Sequence, residues 1–402
     1  MMKSLSLGNG KSLKNADVTD TVLKRYRVMH LATYAVPHVG GVEMHMHVLC
    51  KALAEKLDVR EVGGGGPRFR SAQYLIDGFP VTQLATPLTL RSAPICPEIP
   101  LTIRASKADM VHLHMPNPFG AAAYLASGHN GPLIVTWHFD VVRQRFMKQL
   151  IKPLFKRILS QAWAVVATSP NIVESSEVLQ AVKSRVRVIP YGIDHEPYDR
   201  YRESEVAAIR QRYGSKIVLG VGRLIYYKGF QYLLSAMSEV DAKLLIVGEG
   251  PLRDELQRQV QAEGTTDRVE FIGEKTPEQL IPFYQACDVF ALSSVRGEAF
   301  GIVQLEAMAA GKPVVNTKLD SGVPFVSRDH ESGYTVFPRD AKALARAING
   351  LLDDESLRVR YGRQGKLRVQ REFSVRKMTQ ATLELYEEAL SSTARVNQAG
   401  VG

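Results

Sequence analysis

Arg223 and Lys228 follow an apolar run that ends in Val221-Gly222, and Gly229 comes directly after the lysine. Arginine offers a planar fork to phosphate oxygens and lysine a mobile point charge, so the pair suits an anion that gains charge as it departs. Farther along, Gly297-Glu298-Ala299-Phe300-Gly301-Ile302 leads into Val303-Gln304-Leu305-Glu306. A strand ending near Ser293 would run into a loop carrying Glu298. A helix opening near Gly301 would leave the N–H groups of Phe300, Gly301 and Ile302 free to hold a phosphate. Glu306, about one turn into that helix, would point the same way. Taken singly, such charged residues are most often solvated surface groups; gathered at one strand-end face, they make a site.

The histidines are a weaker signal. His112 and His114 fall on one side of a strand, but no nearby Asp, Glu or Cys completes a ligand set, so a packed or cleft-lining role is expected. His45 and His47 fall on different faces of a helix, which argues against joint ligation. Cys50, Cys96 and Cys287 are far apart and form no CxxC pair, so neither a disulfide framework nor a zinc site is supported. No metal and no cofactor is expected. His138, with Phe139-Asp140 behind it, ends the run Leu133 to Trp137, and on its own a strand-end histidine reads as structural.

These residues need strands to carry them. Short apolar runs alternate with helical patterns in the first half, at Arg27 to Thr33, Met110 to His114, Leu133 to Trp137 and Trp163 to Thr168. After the turn-rich Pro190-Tyr191-Gly192-Ile193-Asp194 a second alternation begins, with runs at Ile217 to Val221, Leu244 to Val247, Val269 to Ile272, Val289 to Leu292 and Val314 to Asn316. Buried parallel strands in βαβ series read this way. The fold class is α/β, with two Rossmann-like, doubly wound domains facing across a cleft, and ligands belong beyond the carboxyl ends of the strands. The expected limits are a flexible segment 1–24, an N-terminal domain 25–192, a C-terminal domain 193–373, a helix 374–392 packing back toward the N-terminal domain, and a tail 393–402. Gly63 to Gly66 lack both the P-loop ending and the GxGxxG spacing, and they read as a flexible loop.

With 402 residues, 45% apolar and 23% charged, the chain has the profile of a globular enzyme large enough for two cores. Its formal charge of +10 favours anionic partners. No nucleic-acid-binding pattern accompanies that charge, so no nucleic acid is expected. No apolar run matches a secretory signal or a membrane span, and the expected location is the cytoplasm. From Arg143 to Arg157, six basic residues alternate with Phe146, Leu150, Ile151, Leu154 and Phe155, with no acid among them. Such a helix either lies in an anionic interface on the inner face of the cytoplasmic membrane or packs its apolar stripe on the sheet.

Together, Val39-Gly40-Gly41-Val42-Glu43, the strand ending in His138, Gly-Arg-Leu…Lys-Gly, and the two glutamates with seven residues between them resemble family-4 retaining glycosyltransferases of the GT-B fold. The resemblance spans about residue 27 to residue 390, and the glutamate element is its most specific part. The Gly-Arg-Leu…Tyr-Tyr-Lys-Gly wording is similar to mannosyl- and rhamnosyl-transferases of bacterial polysaccharide assembly. The resemblance implies a nucleotide-sugar donor, with GDP-mannose preferred, and a glycan or polyprenyl-diphosphate-linked acceptor. It implies that Arg223 and Lys228 grip the donor diphosphate, that Glu306 holds the ribose, and that Glu298 and His138 face the transferred sugar. Gly40 and Gly41 would allow close approach to the donor, and Ile272 would lie near the base.

Three rivals remain at this point. A UDP-sugar transferase of the same family differs only in donor. A sugar-nucleotide epimerase also uses paired α/β domains, and acceptor-dependent nucleotide release separates it from transfer. A basic membrane or nucleic-acid adaptor with a degenerate site is opposed by the presence of every expected donor group.

Overall fold

The computed structural model describes residues 26–37, 40–90, 93–140 and 145–399, with side chains described at all of these except 145–150 and 394–399. The expected flexible segment 1–24, Val39 and Arg143 lie outside the described residues.

The first half builds β1 (Arg27–Tyr34), β2 (Asp58–Gly66), β3 (Ala72–Ile76) and β4 (Phe79–Ala85), then a small antiparallel pair, β5 (Leu88–Leu90) and β6 (Ala93–Ile95). β7 (Met110–Met115), β8 (Leu133–Trp137), β9 (Ala164–Ala167) and β10 (Val186–Val188) complete it. The eight-stranded sheet runs β10-β9-β8-β7-β1-β2-β4-β3, and only the β3–β4 pair is antiparallel. Helices cover both faces, which is why β7, β8 and β9 are buried throughout.

Side-chain parity divides this domain into two cores. Odd-numbered residues such as Met29, Leu31, Val111, Leu113, Val135, Trp137 and Val165 form one. Even-numbered Val28, Ala32, Met110, Ile134, Ala164 and Val166 form the other, together with the helix Gly41–Ala54 and the last helix, Val375–Ala399. That last helix runs back over the N-terminal domain: Met378, Leu383, Tyr386 and Leu390 pack in the even core, and Trp163 donates to Ser392 Oγ at 2.9 Å.

The second half builds β11 (Ile217–Val221), β12 (Lys243–Val247), β13 (Val269–Gly273), β14 (Val289–Ala291), β15 (Val314–Thr317) and β16 (Gly333–Val336), ordered β13-β12-β11-β14-β15-β16 and wholly parallel. This is the doubly wound α/β architecture expected from the sequence. The winding reverses between β1 and β7 in the first sheet and between β11 and β14 in the second, and crevices open at such switch points.

The chain crosses between domains twice at one place. Ile193 N–H donates to the Phe373 carbonyl at 2.8 Å, and Val375 N–H donates to the Ile193 carbonyl at 3.2 Å. A Cβ on Gly192 would sit 2.5 Å from the Ser374 carbonyl oxygen, so only glycine lets the two passes lie this close.

Gly63 to Gly66 correct the sequence expectation of a flexible loop: they are the last residues of β2, held between β1 and β4. A Cβ on Gly63 would lie 2.4 Å from the Tyr34 carbonyl carbon, and one on Gly66 would lie 2.7 Å from the Gln83 oxygen. The glycines serve close backbone approach rather than flexibility.

Candidate active site

At the C-terminal switch point β11 delivers Gly222-Arg223 and β14 delivers the segment Leu292 to Gly301. The two are fastened together. Val295 N–H donates to the Tyr227 carbonyl at 2.8 Å, Ser293 Oγ donates to the Lys228 carbonyl at 3.0 Å, and a Cβ on Gly229 would lie 2.1 Å from the Ser293 oxygen. This fixes the start of the helix Phe230–Ala236 and brings Lys228 Nζ to 2.5 Å from Glu298 Oε2. Ser294 Oγ donates to the same carboxylate oxygen at 3.1 Å, leaving Oε1 for another partner. Burial alone would drag the Lys228 ammonium down, but the Glu298 carboxylate outweighs it and holds the pKa above the ordinary lysine value. Arg223 is exposed, and its charge acts against Lys228, so the two cations share one neighbourhood.

β12 braces this strand end. A Cβ on Gly248 would lie 2.1 Å from the Gly222 oxygen, and one on Gly250 would lie 2.5 Å from the Leu224 oxygen. Leu224 N–H donates to the Glu249 carbonyl at 2.9 Å. The sequence reading passed over Gly248-Glu249-Gly250; two glycines directly after an apolar run were the available signal.

Gly301, at φ 71°, caps the helix Ile302–Ala309, whose first N–H groups have no partner within the helix. Phe300 turns its ring into the core, 4.9 Å from that of Tyr191 and 5.9 Å from that of Phe373, so it contributes backbone rather than side chain. Ile302 and Ile272 pack at the edge of the same core. Glu306 accepts a 2.6 Å hydrogen bond from the Tyr284 hydroxyl, and burial raises its pKa above the usual carboxylate range, with that bond opposing. The carboxyl is therefore held in place before any ligand meets it.

In the N-terminal domain, Gly40 caps the helix Gly41–Ala54, and a Cβ on Gly41 would meet nothing within 4 Å. His138 follows β8 and is 0% exposed, with both ring nitrogens engaged: Nε2 stands 3.0 Å from His114 Nδ1, and Nδ1 is hydrogen-bonded to the Tyr191 hydroxyl. The Tyr191 hydroxyl occupies the His138 nitrogen nearer the C-terminal domain's candidate residues, so in this arrangement Tyr191 lies between His138 and Phe300. Tyr191 stacks on His45 at 3.9 Å and lies against Phe300. Burial, then the charges of Glu43 and Glu298, hold its pKa far above the ordinary phenol value. Tyr191 is thus the side chain at which the two domains' candidate residues meet, and the sequence reading missed it.

His112 and His114 are buried as expected, joined by His30, which β1 places in register with His112. His30 Nδ1 lies 3.1 Å from His114 Nε2. His47 is separate, bonded to Glu61 and Asp77. Asp140 accepts from Trp137 and Ser176 at 2.8 and 2.9 Å, which makes it structural. In the basic helix Arg145–Gln161, Phe155, Ile158 and Leu159 are core residues, and Ile151 and Leu154 pack against them. Lys156 and Arg157 are exposed, and Lys152 pairs with Glu177 at 3.3 Å. No described helix is long and apolar enough to cross a membrane.

Comparison with known proteins bears on this arrangement. The family described as Glycosyltransferase Family 4 matches residues 39–197, and the one described as Glycosyl transferases group 1 matches residues 202–368. The chain is 31% identical to the O-antigen chain mannosyltransferase C of Escherichia coli, over 91% of this chain and 99% of that one. It is 31% identical to the D-rhamnosyltransferase WbpZ of Pseudomonas aeruginosa, over 87% and 92%. Among solved structures, the sucrose-phosphate synthase of Thermosynechococcus elongatus superposes with a TM-score of 0.78 at 24% identity, covering 92% of this chain and all of that one. The Anabaena protein HepE in complex with UDP superposes with a TM-score of 0.74 at 22% identity, covering 90% of this chain and all of that one. These two structures share the fold.

Proposed function

This chain belongs to the family-4 glycosyltransferases of polysaccharide assembly, and on that footing we propose that it transfers mannose from GDP-mannose, with retention of configuration, to a glycan or polyprenyl-diphosphate-linked acceptor. The relatives named as mannosyl- and rhamnosyl-transferases support the sugar class. The observation that carries the reading is the Lys228–Glu298 pair at the C-terminal switch point, beside Arg223 and the helix that opens after Gly301.

In this reading Arg223, Lys228 and the helix start hold the diphosphate and stabilise the charge it gains as the bond from its oxygen to the sugar's anomeric carbon breaks. The acceptor oxygen bonds to that carbon from the same face, and its proton passes to the departing diphosphate. Glu298 Oε1 takes hydroxyls of the transferred sugar, Glu306 takes the ribose, and Ile272 borders the base. Gly41, where an added Cβ would meet nothing within 4 Å, leaves room for the donor at the N-terminal domain, and Gly40 lets the Glu43 carboxylate lie 2.2 Å from where its Cβ would stand. His138 reaches the sugar only when the Tyr191 phenol gives up its bond. No metal is required, because two cations already stand at the diphosphate.

A peripheral hold on the inner face of the cytoplasmic membrane completes the proposal. The exposed Lys156 and Arg157 supply the charge, about 1 kcal/mol each near an anionic surface. Vesicles of anionic lipid should retain the protein at low salt and release it at high salt; equal retention by neutral vesicles removes this part.

The donor is tested by incubating the protein with GDP-mannose or UDP-sugars, with and without a polyprenyl-diphosphate-linked glycan. Release of GDP that depends on acceptor, with an α-linked product by NMR, is the expected result. Acceptor-dependent release from a UDP-sugar alone overturns the donor, and an inverted product overturns retention.

A further inference from the structure

Behind Tyr191 runs a continuous line of buried hydrogen bonds. From the hydroxyl of Tyr191 it passes to His138 Nδ1, from His138 Nε2 to His114 Nδ1 at 3.0 Å, and from His114 Nε2 to His30 Nδ1 at 3.1 Å. His30 Nε2 then meets the Tyr386 hydroxyl at 3.1 Å, that hydroxyl meets His112 Nδ1, and His112 Nε2 meets Thr136 Oγ1 at 2.6 Å. The pairing register builds the line. His30 is opposite His112, and His114 is opposite Thr136, so all share the even face with His138, while the last helix lowers Tyr386 between His30 and His112.

The nitrogens of His30, His112 and His114 also come within 4.8 Å of one another, a spacing a transition metal can use. Their ring nitrogens are already hydrogen-bonded, however, and the group contains no carboxylate or thiolate to offset a buried dication. The hydrogen-bonded reading accounts for every nitrogen.

Burial keeps the rings neutral, lowering His30 and His138 to about 3 and His112 and His114 well below the ordinary value. A neutral imidazole has one N–H and one accepting nitrogen. If every link is to contain one hydrogen, and the fully buried Tyr386 hydroxyl is to spend its own hydrogen within the line rather than leave it orphaned, two patterns remain. In one, all four rings carry Nε2–H, Tyr191 donates inward to His138, and the line ends on Thr136. In the other, all four carry Nδ1–H, Thr136 donates to His112, and His138 donates to Tyr191, whose own O–H is free to point away from the line.

We propose that His112, His30, His114 and His138, joined through Tyr386, act as one tautomeric unit, so that the direction of the bond between His138 and Tyr191 at the domain junction is tied to the tautomer of His112 at the far end of the line. In the Nδ1–H pattern the free Tyr191 O–H can meet a sugar oxygen, a point that rests on the donor-site reading above. The hydrogen bond Tyr191 offers is then set, through His138, by rings it does not touch.

The test is 15N NMR of histidine-labelled protein without substrate, which reads tautomers whether or not the donor assignment holds. All four rings should show one shared tautomer. Tyr191→Phe leaves His138 Nδ1 without a partner, and an orphaned buried N–H is costly, so in that variant the whole line should be Nε2–H, His112 included. Tyr386→Phe cuts the line, so His112 should be Nε2–H, donating to Thr136, while His30, His114 and His138 are Nδ1–H. Mixed tautomers among the four rings of the unsubstituted protein, or a His112 that is not Nε2–H in Tyr191→Phe, overturns the proposal. Loss of GDP-mannose activity with the tautomers as expected would count against the donor reading alone.

Discussion

Lys228 and Glu298, 70 positions apart in sequence, form an ion pair at 2.5 Å. The contact joins the ends of two strands on either side of a topological switch point and prevents the lysine from straying into solvent. In the proposed reading, a diphosphate arriving there would find its cation already aimed, with Arg223 alongside. Preorganisation of this kind lowers a barrier because nothing has to be rearranged as charge develops.

Arg223→Ala and Lys228→Ala should each lower turnover on the order of a hundredfold. Steady-state rates with saturating donor, alongside circular dichroism, give the check. Arg223→Ala should melt like the unsubstituted protein because its side chain is exposed. Near-normal rates in both variants remove these residues from the site.

The buried histidines should make the protein acid-labile. His30 and His138 titrate at about 3 in the folded state, and burial holds His45, His112 and His114 well below the ordinary value of 6.5. Between 6.5 and those lowered values the unfolded chain binds more protons, so stability is full above about pH 6.5 and falls as pH drops. His47 opposes the trend weakly: burial lowers it, but Glu61 and Asp77 outweigh burial and raise it. Its share is present below the unfolded value and is lost as pH rises through the folded one. Urea midpoints at pH 7.5 and 5.5 should differ steeply, with net proton uptake on unfolding at the lower pH; equal midpoints would mean the rings titrate normally.

Gly248→Ala should cost upward of about 2 kcal/mol, since φ is 138° and the new Cβ would sit 2.1 Å from the Gly222 oxygen. Gly264→Ala is the control: its φ of 65° brings strain, but nothing lies within 4 Å. Thermal melts that rank the two equally would show that the contact between β11 and β12 is readily relieved.

Chelation should leave turnover unchanged if, as proposed, the charge at the diphosphate comes from side chains. Rates measured in EDTA and with added manganese or magnesium decide it, and strict dependence on either ion contradicts the proposed electrostatics.

The alternation of apolar runs made the central strands of both sheets legible in the sequence, because parallel strands covered on both faces leave little room for polar residues, whereas β3, β4 and β16, toward the sheet edges and partly exposed, gave no such run. The glutamate element and Arg223…Lys228 were legible as local spacings. The histidine line was not. Parity pairs His112 with His114, but His30 joins them only through the register of β1 on β7, and Tyr386 arrives from 274 positions away. Tyr191 looked like part of a turn because its neighbours Pro190 and Gly192 are turn residues. Gly63 to Gly66 were misread because a glycine run has the composition of a loop, whereas its cause is crowding by strands distant in sequence.

The paired crossing at Gly192-Ile193 and Phe373-Val375 acts as an axle. Two passes of chain bonded side by side suit a hinge, and a domain motion about them would be a swivel around a single line that parts contacts elsewhere between the domains, such as Ser175 Oγ to the Asp320 carbonyl at 3.0 Å. Displacement in a swivel grows with distance from the axis. Tyr191, one residue from the hub, hardly travels, while the outer lips of the cleft sweep the longest arcs. The mouth can therefore gape to admit a bulky acceptor and shut again without disturbing the alignment of groups at its root.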